Sequence, residues 1–470
     1  MRFTVFLPRS AWRFLGPTLV LTASVGHAEE TAPADLVDAP AMSLRAALAY
    51  AQAHEPELQA ARERLRAAEQ EAEVPAAQWQ PSFGALGEFV VGTSNNSTAT
   101  PLSASAVDLP RIGGTAVSEH ANLRPDATTL LALGARQEVY DFGRIAAQSA
   151  AARALTAISE SELRHTRLDL RLAVTNAYYA VRAARALLEV AAQAEARATL
   201  HRDMAQAAVQ SGLRSPIEAT RADADVTRFE VARIRARGSL LVSRGVFAAT
   251  VGYDQPELDA SDEAPGDPAF PARAEGEARA VELDPAVQEA VGKVRAERSL
   301  AESVSASLRP NLSASAALSV RAGGAAASND VVPDGRGFAP NVPNYSAGLV
   351  LNWPLFEPVT RARARALQAR EHSLSSDVEV ARQRAFSRVR QAYESIAIAD
   401  ASLGALAQSV QAAQANHAQA EGRFRAGLGT ATELADAETL RLNAEVDQVL
   451  GRYQAAAARA ELERAIGSDR

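Results

Sequence analysis

Residues 144–211 read RIAAQSAAARALTAISESELRHTRLDLRLAVTNAYYAVRAARALLEVAAQAEARATLHRDMAQAAVQS and contain neither glycine nor proline. Along this stretch Leu170, Val174, Ala177, Val181, Ala184, Leu188 and Ala191 step by alternating fours and threes. Such spacing lays one apolar seam down a helix, as in a coiled coil. Alanine at many seam positions lets helices approach closely, and it is the strongest helix former. A helix of this length extends roughly 100 Å at 1.5 Å per residue, far beyond a globular helix. Phe386, Val389, Tyr393, Ile396, Leu403, Ala407 and Val410 repeat the seam, broken only by Asp400, and no proline follows Pro358. Aromatic residues make up only 5% of the 470, so long packed helices are expected rather than a large layered core.

The two seams belong to a duplication. From 55 to 83, nine of 29 positions are identical 229 residues later without a gap, Pro56 with Pro285 and Arg66-Ala67 with Arg295-Ala296 among them. Farther on, Val139-Tyr140-Asp141 corresponds to Leu355-Phe356-Glu357 at an offset of 216, and Ser211-Gly212-Leu213 to Ala426-Gly427-Leu428 at 215. The second copy is shorter between Pro310 and Trp353, in a loop, where a deletion is tolerated. Each copy reads helix, strand, loop, strand, very long helix, turn, helix. The copies are expected at 42–252 and 284–467. The acidic, proline-rich stretch 253–283 is expected as a linker or an irregular equatorial belt outside the core.

The strands alternate with period two. Leu312, Ala314, Ala316, Leu318 and Val320 alternate with Asn311, Ser313, Ser315, Ala317 and Ser319. Tyr345, Ala347, Leu349, Leu351 and Trp353 alternate with Ser346, Gly348 and Asn352, and Leu131, Leu133 and Ala135 with Gly134, Arg136 and Glu138. Runs of about 10 residues match strands that cross an outer membrane. Long polar loops, 92–126 and 322–344, separate the strands of each pair. Four strands cannot close a barrel, since the smallest membrane barrels have about eight, and an open edge is not tolerated in lipid. Several subunits must pool their strands: two would give eight, three would give twelve, and the residues alone do not choose.

At the N-terminus Arg2, Arg9 and Arg13 accompany an apolar run from Phe14 to Val25, followed by Gly26-His27-Ala28. Residues 1–28 are expected to be a cleaved secretory signal. A membrane anchor is disfavoured because the run is shorter than the roughly 20 residues a spanning helix needs. No other stretch is apolar for that length, so any membrane crossing is expected to use strands. The sequence holds no cysteine, which excludes disulfides and acylation on a thiol. A net charge of −7 is mild and argues against nucleic acid as a partner. The seven histidines are scattered with no pair four apart, and there are three methionines, so no metal or other cofactor is expected. No phosphate loop or nucleophile elbow is present, and no enzyme is expected. Tyr178, Tyr179 and Tyr393 lie in the coiled-coil segments and read as packing residues. Trp353 ends a strand, in a packing role or in an interfacial aromatic girdle.

Two further motifs punctuate each copy. Gln137-Glu138-Val139-Tyr140-Asp141-Phe142-Gly143 joins strand to long helix, as Trp353-Pro354-Leu355-Phe356-Glu357-Pro358 does in the second copy. The helix turns read Val209-Gln210-Ser211-Gly212-Leu213-Arg214-Ser215-Pro216-Ile217-Glu218 and Phe424-Arg425-Ala426-Gly427-Leu428-Gly429-Thr430-Ala431-Thr432-Glu433-Leu434-Ala435-Asp436. With the duplication, and over about 42–467, these motifs resemble the TolC family of outer-membrane efflux and secretion proteins.

The resemblance implies a mixed α and β membrane protein. Three copies would form one 12-stranded β-barrel, continued by a twelve-helix antiparallel coiled-coil tunnel in the periplasm that closes at its inner end. It implies that Tyr140, Asp141, Gly143, Pro354 and Phe356 form the strand-to-helix junctions and that Gly212 and Gly427 make the helix turns. Glu433 and Asp436 fall where the family places carboxylate rings across the tunnel mouth, and Glu218 where its closed gate receives inter-helix bonds. Phe424 stands where the family has a gate tyrosine and Gly429 where it has a gate arginine; Arg425 and Arg214 are the candidates to replace that lock. The implied function is a passive duct from the periplasm through the outer membrane, surrounded there by outer-membrane lipid. A periplasmic adaptor and an inner-membrane ABC or proton-driven transporter would feed it. Type I protein secretion is slightly favoured over small-molecule efflux, because many efflux members are acylated on a cysteine that this chain lacks. The alternative class is a structural periplasmic coiled coil or adaptor without a channel.

Overall fold

The computed structural model describes residues 39–93, 96–97, 116–117, 125–262, 270–323 and 342–467. The expected signal 1–28 and most of the two long loops lie outside the described residues. The first copy comprises β1 (Ala41–Met42), α1 (Leu44–His54), α2 (Pro56–Ala77), β2 (Ser82–Thr93), β3 (Asn96–Ser97), β4 (Ala116–Val117), β5 (Pro125–Tyr140), α3 (Arg144–Gln210) and α4 (Pro216–Val251). After β6 (Asp259–Ala260) follow α5 (Arg273–Leu283), α6 (Pro285–Ala306), β7 (Asn311–Gly323), β8 (Val342–Asn352), α7 (Pro358–Arg425) and α8 (Ala431–Ala465). The helix that opens each copy is broken in two, and the cause is local. Proline disfavours helical backbone in the residue before it. Glu55 and Asp284, each before a proline, are extended at ψ 121° and 122°, and Pro56 and Pro285 then start α2 and α6 at the one end of a helix that tolerates proline.

The long helices run unbroken for 67 and 68 residues, with no proline beyond the first turn. α3 packs along α2, α4, α6 and α8, whereas α7 packs along α5, α6 and α8. The largest apolar cluster joins Val174, Tyr178 and Val181 of α3 to Phe247 and Val251 of α4 and to Ala47 and Ala51 of α1. The acidic composition of 253–283 predicted a belt outside the core, and here the structure corrects the expectation. Leu258 and Ala260 are fully buried in this cluster and Asp259 is nearly so. Arg185 and Arg244 both bind the Asp259 carboxylate, and a paired charge can be buried where a bare one cannot. β6 also pairs in parallel with β1, tying the connecting segment to the start of the first copy. Residues Arg273–Leu283 form α5 rather than irregular chain.

The four long strands form one antiparallel sheet in the order β2-β5-β7-β8. Its register lines up Ala85, Leu133, Leu318 and Tyr345 across the sheet, flanked by the row Phe83, Ala135, Ala316 and Ala347. Leu349 and Leu351 continue the same face along β8. This apolar face is exposed: Phe83 is 77% accessible, Tyr345 89% and Leu349 68%. The opposite face carries Ser82, Gly84, Gly134, Ser313, Ser315, Ala317 and Ser346. A sheet with apolar residues facing out and small or polar residues facing in is the pattern of a membrane barrel wall. Among the described residues β2 and β8 each have one edge without a partner strand.

Candidate functional site

The two helix turns are built alike. After α3, Gly212 takes φ 72°, its N–H donates to the Val209 carbonyl at 2.9 Å, and the Leu213 N–H donates to the Ala208 carbonyl at 2.9 Å. After α7, Gly427 takes φ 77°, with matching bonds from Gly427 to Phe424 at 3.1 Å and from Leu428 to Arg423 at 2.9 Å. Both are Schellman caps, which need the left-handed backbone that glycine adopts without strain. Leu213 and Leu428 project from the turns at 79% and 74% accessibility. Acidic Glu218 and Glu433 lie in the first turns of α4 and α8, and Arg423 and Arg425 in the last turn of α7. Each sign sits at the helix end whose partial charge it complements.

Arg214 stands out among the arginines at the turns. It bonds Glu218 at 3.0 Å and donates to the Phe424 carbonyl at 3.2 Å, and its guanidinium lies 4.7 Å from the centre of the Phe424 ring. One side chain thus ties the first turn to the end of α7, where Phe424 itself is buried with Ala205, Ala222 and Leu434. Arg425 stays on its own helix and pairs with Glu421. The glycine at 429 has a steric cause: a Cβ there would meet the Arg423 Cβ at 3.1 Å and the Phe424 backbone nitrogen at 3.2 Å. Arg214 occupies the matching place in the first turn, 215 residues earlier.

Glu433 and Asp436 are both exposed, on the face of α8 opposite buried Leu434, Ala437 and Glu438. Arg423 lies 3.8 Å from Glu433, and the Thr430 hydroxyl accepts the Glu433 N–H at 3.2 Å, capping α8. Asp436 faces Asp225 of α4, whose pKa is raised by burial, countered by Arg228 and increased further by Asp436. Arg221 and Arg228 donate to Thr432 and Thr439, both at 3.0 Å, so α4 and α8 are cross-linked once per seven residues.

At the other end of the long helices the junction residues set the turn from strand to helix. The Asp141 carboxylate is 4% accessible and accepts the N–H groups of Gly143 and Ile145, capping α3. Phe142 and Gly143 take φ 53° and 98°. Tyr140 packs edge-to-face on Phe142, with ring centres 4.6 Å apart. In the second copy Phe356 is exposed under the Arg361 guanidinium, 5.7 Å away, and Pro354 precedes it between β8 and α7. Trp353 is half exposed just past β8.

One cluster has no signature in the sequence. Eight residues past the N-cap Thr430, Glu438 of α8 is 1% accessible and receives two bonds from the Arg197 Nε of α3, at 2.9 and 3.1 Å. His417 Nε2 of α7 lies 2.8 Å from Glu438 Oε2, and Arg197 also lies 3.7 Å from Glu445. Burial raises the Glu438 pKa, but His417 and Arg197 outweigh it and hold the carboxyl below its ordinary range. The residues come from three helices and lie up to 248 positions apart, so spacing along the chain carries no trace of them.

The outer membrane efflux protein family model matches residues 47–249 and 278–468. Among solved structures, the outer-membrane channel OprN superposes at a TM-score of 0.75 with 21% identity, over 90% of this chain and 89% of that one. VceC of Vibrio cholerae gives 0.71 at 18% identity over 90% and 96%, and the open MtrE channel of Neisseria gonorrhoeae gives 0.71 at 18% over 90% and 88%. No curated protein matches the sequence. Covered in two segments that together span most of its length, the chain belongs to the outer membrane efflux protein family and is an outer-membrane channel protein, not an enzyme.

Proposed function

We propose that three copies of this chain assemble into a passive export duct. Their twelve strands would close one barrel in the outer membrane, and their long helices α3 and α7, with the shorter helices packed along them, would continue it as a twelve-helix tunnel through the periplasm. The observation that carries this reading is the four-stranded sheet, apolar on its exposed face and unpaired at β2 and β8. In lipid, unpaired backbone groups cost several kcal/mol each, on the order of a lost buried hydrogen bond. Joining β8 of one copy to β2 of the next removes both edges at once. Native mass spectrometry of the detergent-extracted protein tests it; a monomer or dimer as the stable species would refute it.

The turns serve as the gate. Glu433 and Asp436 become rings of three carboxylates at the mouth, which select cations. Arg214 takes over the lock that Phe424 and Gly429 do not supply, with Glu218 as its anchor. In planar bilayers, Glu433→Gln/Asp436→Asn reduces cation selectivity, and Arg214→Ala raises resting conductance by about tenfold, the equivalent of 1.4 kcal/mol. Unchanged traces for both variants would remove the gate from these turns. Exposed Leu213 and Leu428 offer a periplasmic adaptor an apolar contact at the tips, and an ABC or proton-driven transporter of the inner membrane supplies the energy. A type I protein substrate is favoured over small molecules, since no cysteine is present for acylation. Secreted-protein profiles and drug susceptibility of a deletion strain separate the two.

A further inference from the structure

His201 of α3, His417 of α7 and Glu421 of α7 stand together near the turns, with one donor atom from each within 4.8 Å of the others. His417 and Glu421 are four apart, one above the other on the same helix face. The two imidazoles stack across the helix interface, ring centres 5.5 Å apart and planes 29° apart. His417 is 3% accessible, and its Nε2 lies 2.8 Å from Glu438 Oε2. A cavity of about 20 Å³, room for one water, opens beside His201 and Glu438.

We propose that His201, His417 and Glu421 bind a borderline divalent cation, zinc in the first instance, as a clasp between the first and second repeats. Two imidazoles and one carboxylate are the donor set of many zinc sites, with metal–ligand distances of about 2.0–2.2 Å. Closing on the ion moves the donors inward by roughly 1 Å to reach those distances; His201 and Glu421 are only partly buried, and Glu421 exchanges its pairing with Arg425 for the ion. Glu438 beside His417 is the outer carboxylate that commonly orients a ligating histidine. The clasp lies about 13 Å from the turns, counting 1.5 Å per residue, and it joins α3 to α7.

The test uses the full chain in detergent, stripped with chelator, in a Glu433→Gln/Asp436→Asn background so that no carboxylate ring contributes. Zinc binding is read by elemental analysis, and cobalt substitution by its visible absorption. The expected result is one zinc per chain, a raised helical melting temperature with zinc, and affinity lowered by about tenfold or more in His201→Asn and in Glu421→Gln. His372→Asn, on exposed α7 surface, leaves binding unchanged. Both ligand variants alter partly exposed side chains and retain the fold, which far-ultraviolet circular dichroism checks. Zinc bound equally by His201→Asn and Glu421→Gln, or no zinc retained by the parent, overturns the site. Neither result touches the trimeric duct.

Discussion

The two repeats share their order of elements and their turn geometry, yet α3 buries eighteen side chains and α7 only nine. α3 is enclosed by α1, α2, α4, α6 and α8 of its own chain. α7 leaves Val359, Val380, Phe386 and Ile398 exposed. The α7 seam buries Val389 and Val410 within the subunit, but the helix keeps an apolar side exposed. Under the proposed trimer, the open side of α7 and the free edges of the sheet are the surfaces that a neighbouring copy covers. Duplication therefore preserved the backbone plan while the burial of the side chains diverged.

The buried charge cluster sharpens this contrast most. Glu438 is buried against Arg197 and His417, while the residue 215 positions earlier, Asp223, is exposed and the counterpart of Arg197 is Ala412. Removing one partner of a buried ion pair strands the other in low dielectric and costs about 3–5 kcal/mol. Glu438→Ala is expected to lower the helical melting temperature strongly, whereas Asp223→Ala shifts it by less than about 0.5 kcal/mol equivalent. Equal shifts would mean that the repeats do not differ here in the way the burial implies.

Tyr178 and Tyr393 test the same contrast with matched chemistry. They are 215 residues apart, and each hydroxyl donates at 2.7 Å to a backbone carbonyl of the connecting segment, Ser261 or Pro271. Tyr178 is fully buried and Tyr393 is not. Tyr178→Phe removes this donor from the Ser261 carbonyl beside a fully buried ring, at about 1–1.5 kcal/mol. Tyr393→Phe lets water replace the bond and costs about 0.5 kcal/mol. Thermal melts followed by circular dichroism decide it, and the reverse ranking would break the comparison.

These pairs also show where sequence reading succeeds. Periodicity marks Val174, Val181 and Val389 as seam residues because each helix carries its own 3.6-residue code. Leu318 and Tyr345 declare the barrel face by alternation alone. The turn glycines Gly212 and Gly427 are legible because only a left-handed backbone makes that turn. Arg214, Glu218 and Phe424 are all legible as turn residues, but the bond from Arg214 to Phe424 is not, since it spans 210 residues. His201 and His417 looked scattered because proximity between helices of different repeats leaves no spacing to read. Asp259 looked solvated because its two arginines lie 74 and 15 positions away. Patterns within one element survive in the sequence, and polar contacts between elements do not.

The smallest expected effect concerns a charge that the fold disfavours. Asp225 of α4 has a pKa raised by burial, with Arg228 at 3.1 Å opposing and Asp436 adding to the rise. Its folded value lies above its unfolded one, so the folded state holds a proton that the unfolded state has lost, and stability falls as pH rises through that interval. At neutral pH the ionised carboxylate is therefore a net cost, which Asp225→Asn removes. The gain is less than about 1 kcal/mol, since the site is half exposed and the Arg228 pair is lost with it. It is full at pH 7 and fades as pH falls towards the ordinary carboxylate value near about 4. The counterpart, Leu440, is 52% accessible, so Leu440→Asp is expected to change the melting temperature alike at the two pH values. A gain for Asp225→Asn that persists unchanged at pH 4 would assign the effect to packing, and the α4–α8 interface would then owe nothing to the charge on Asp225.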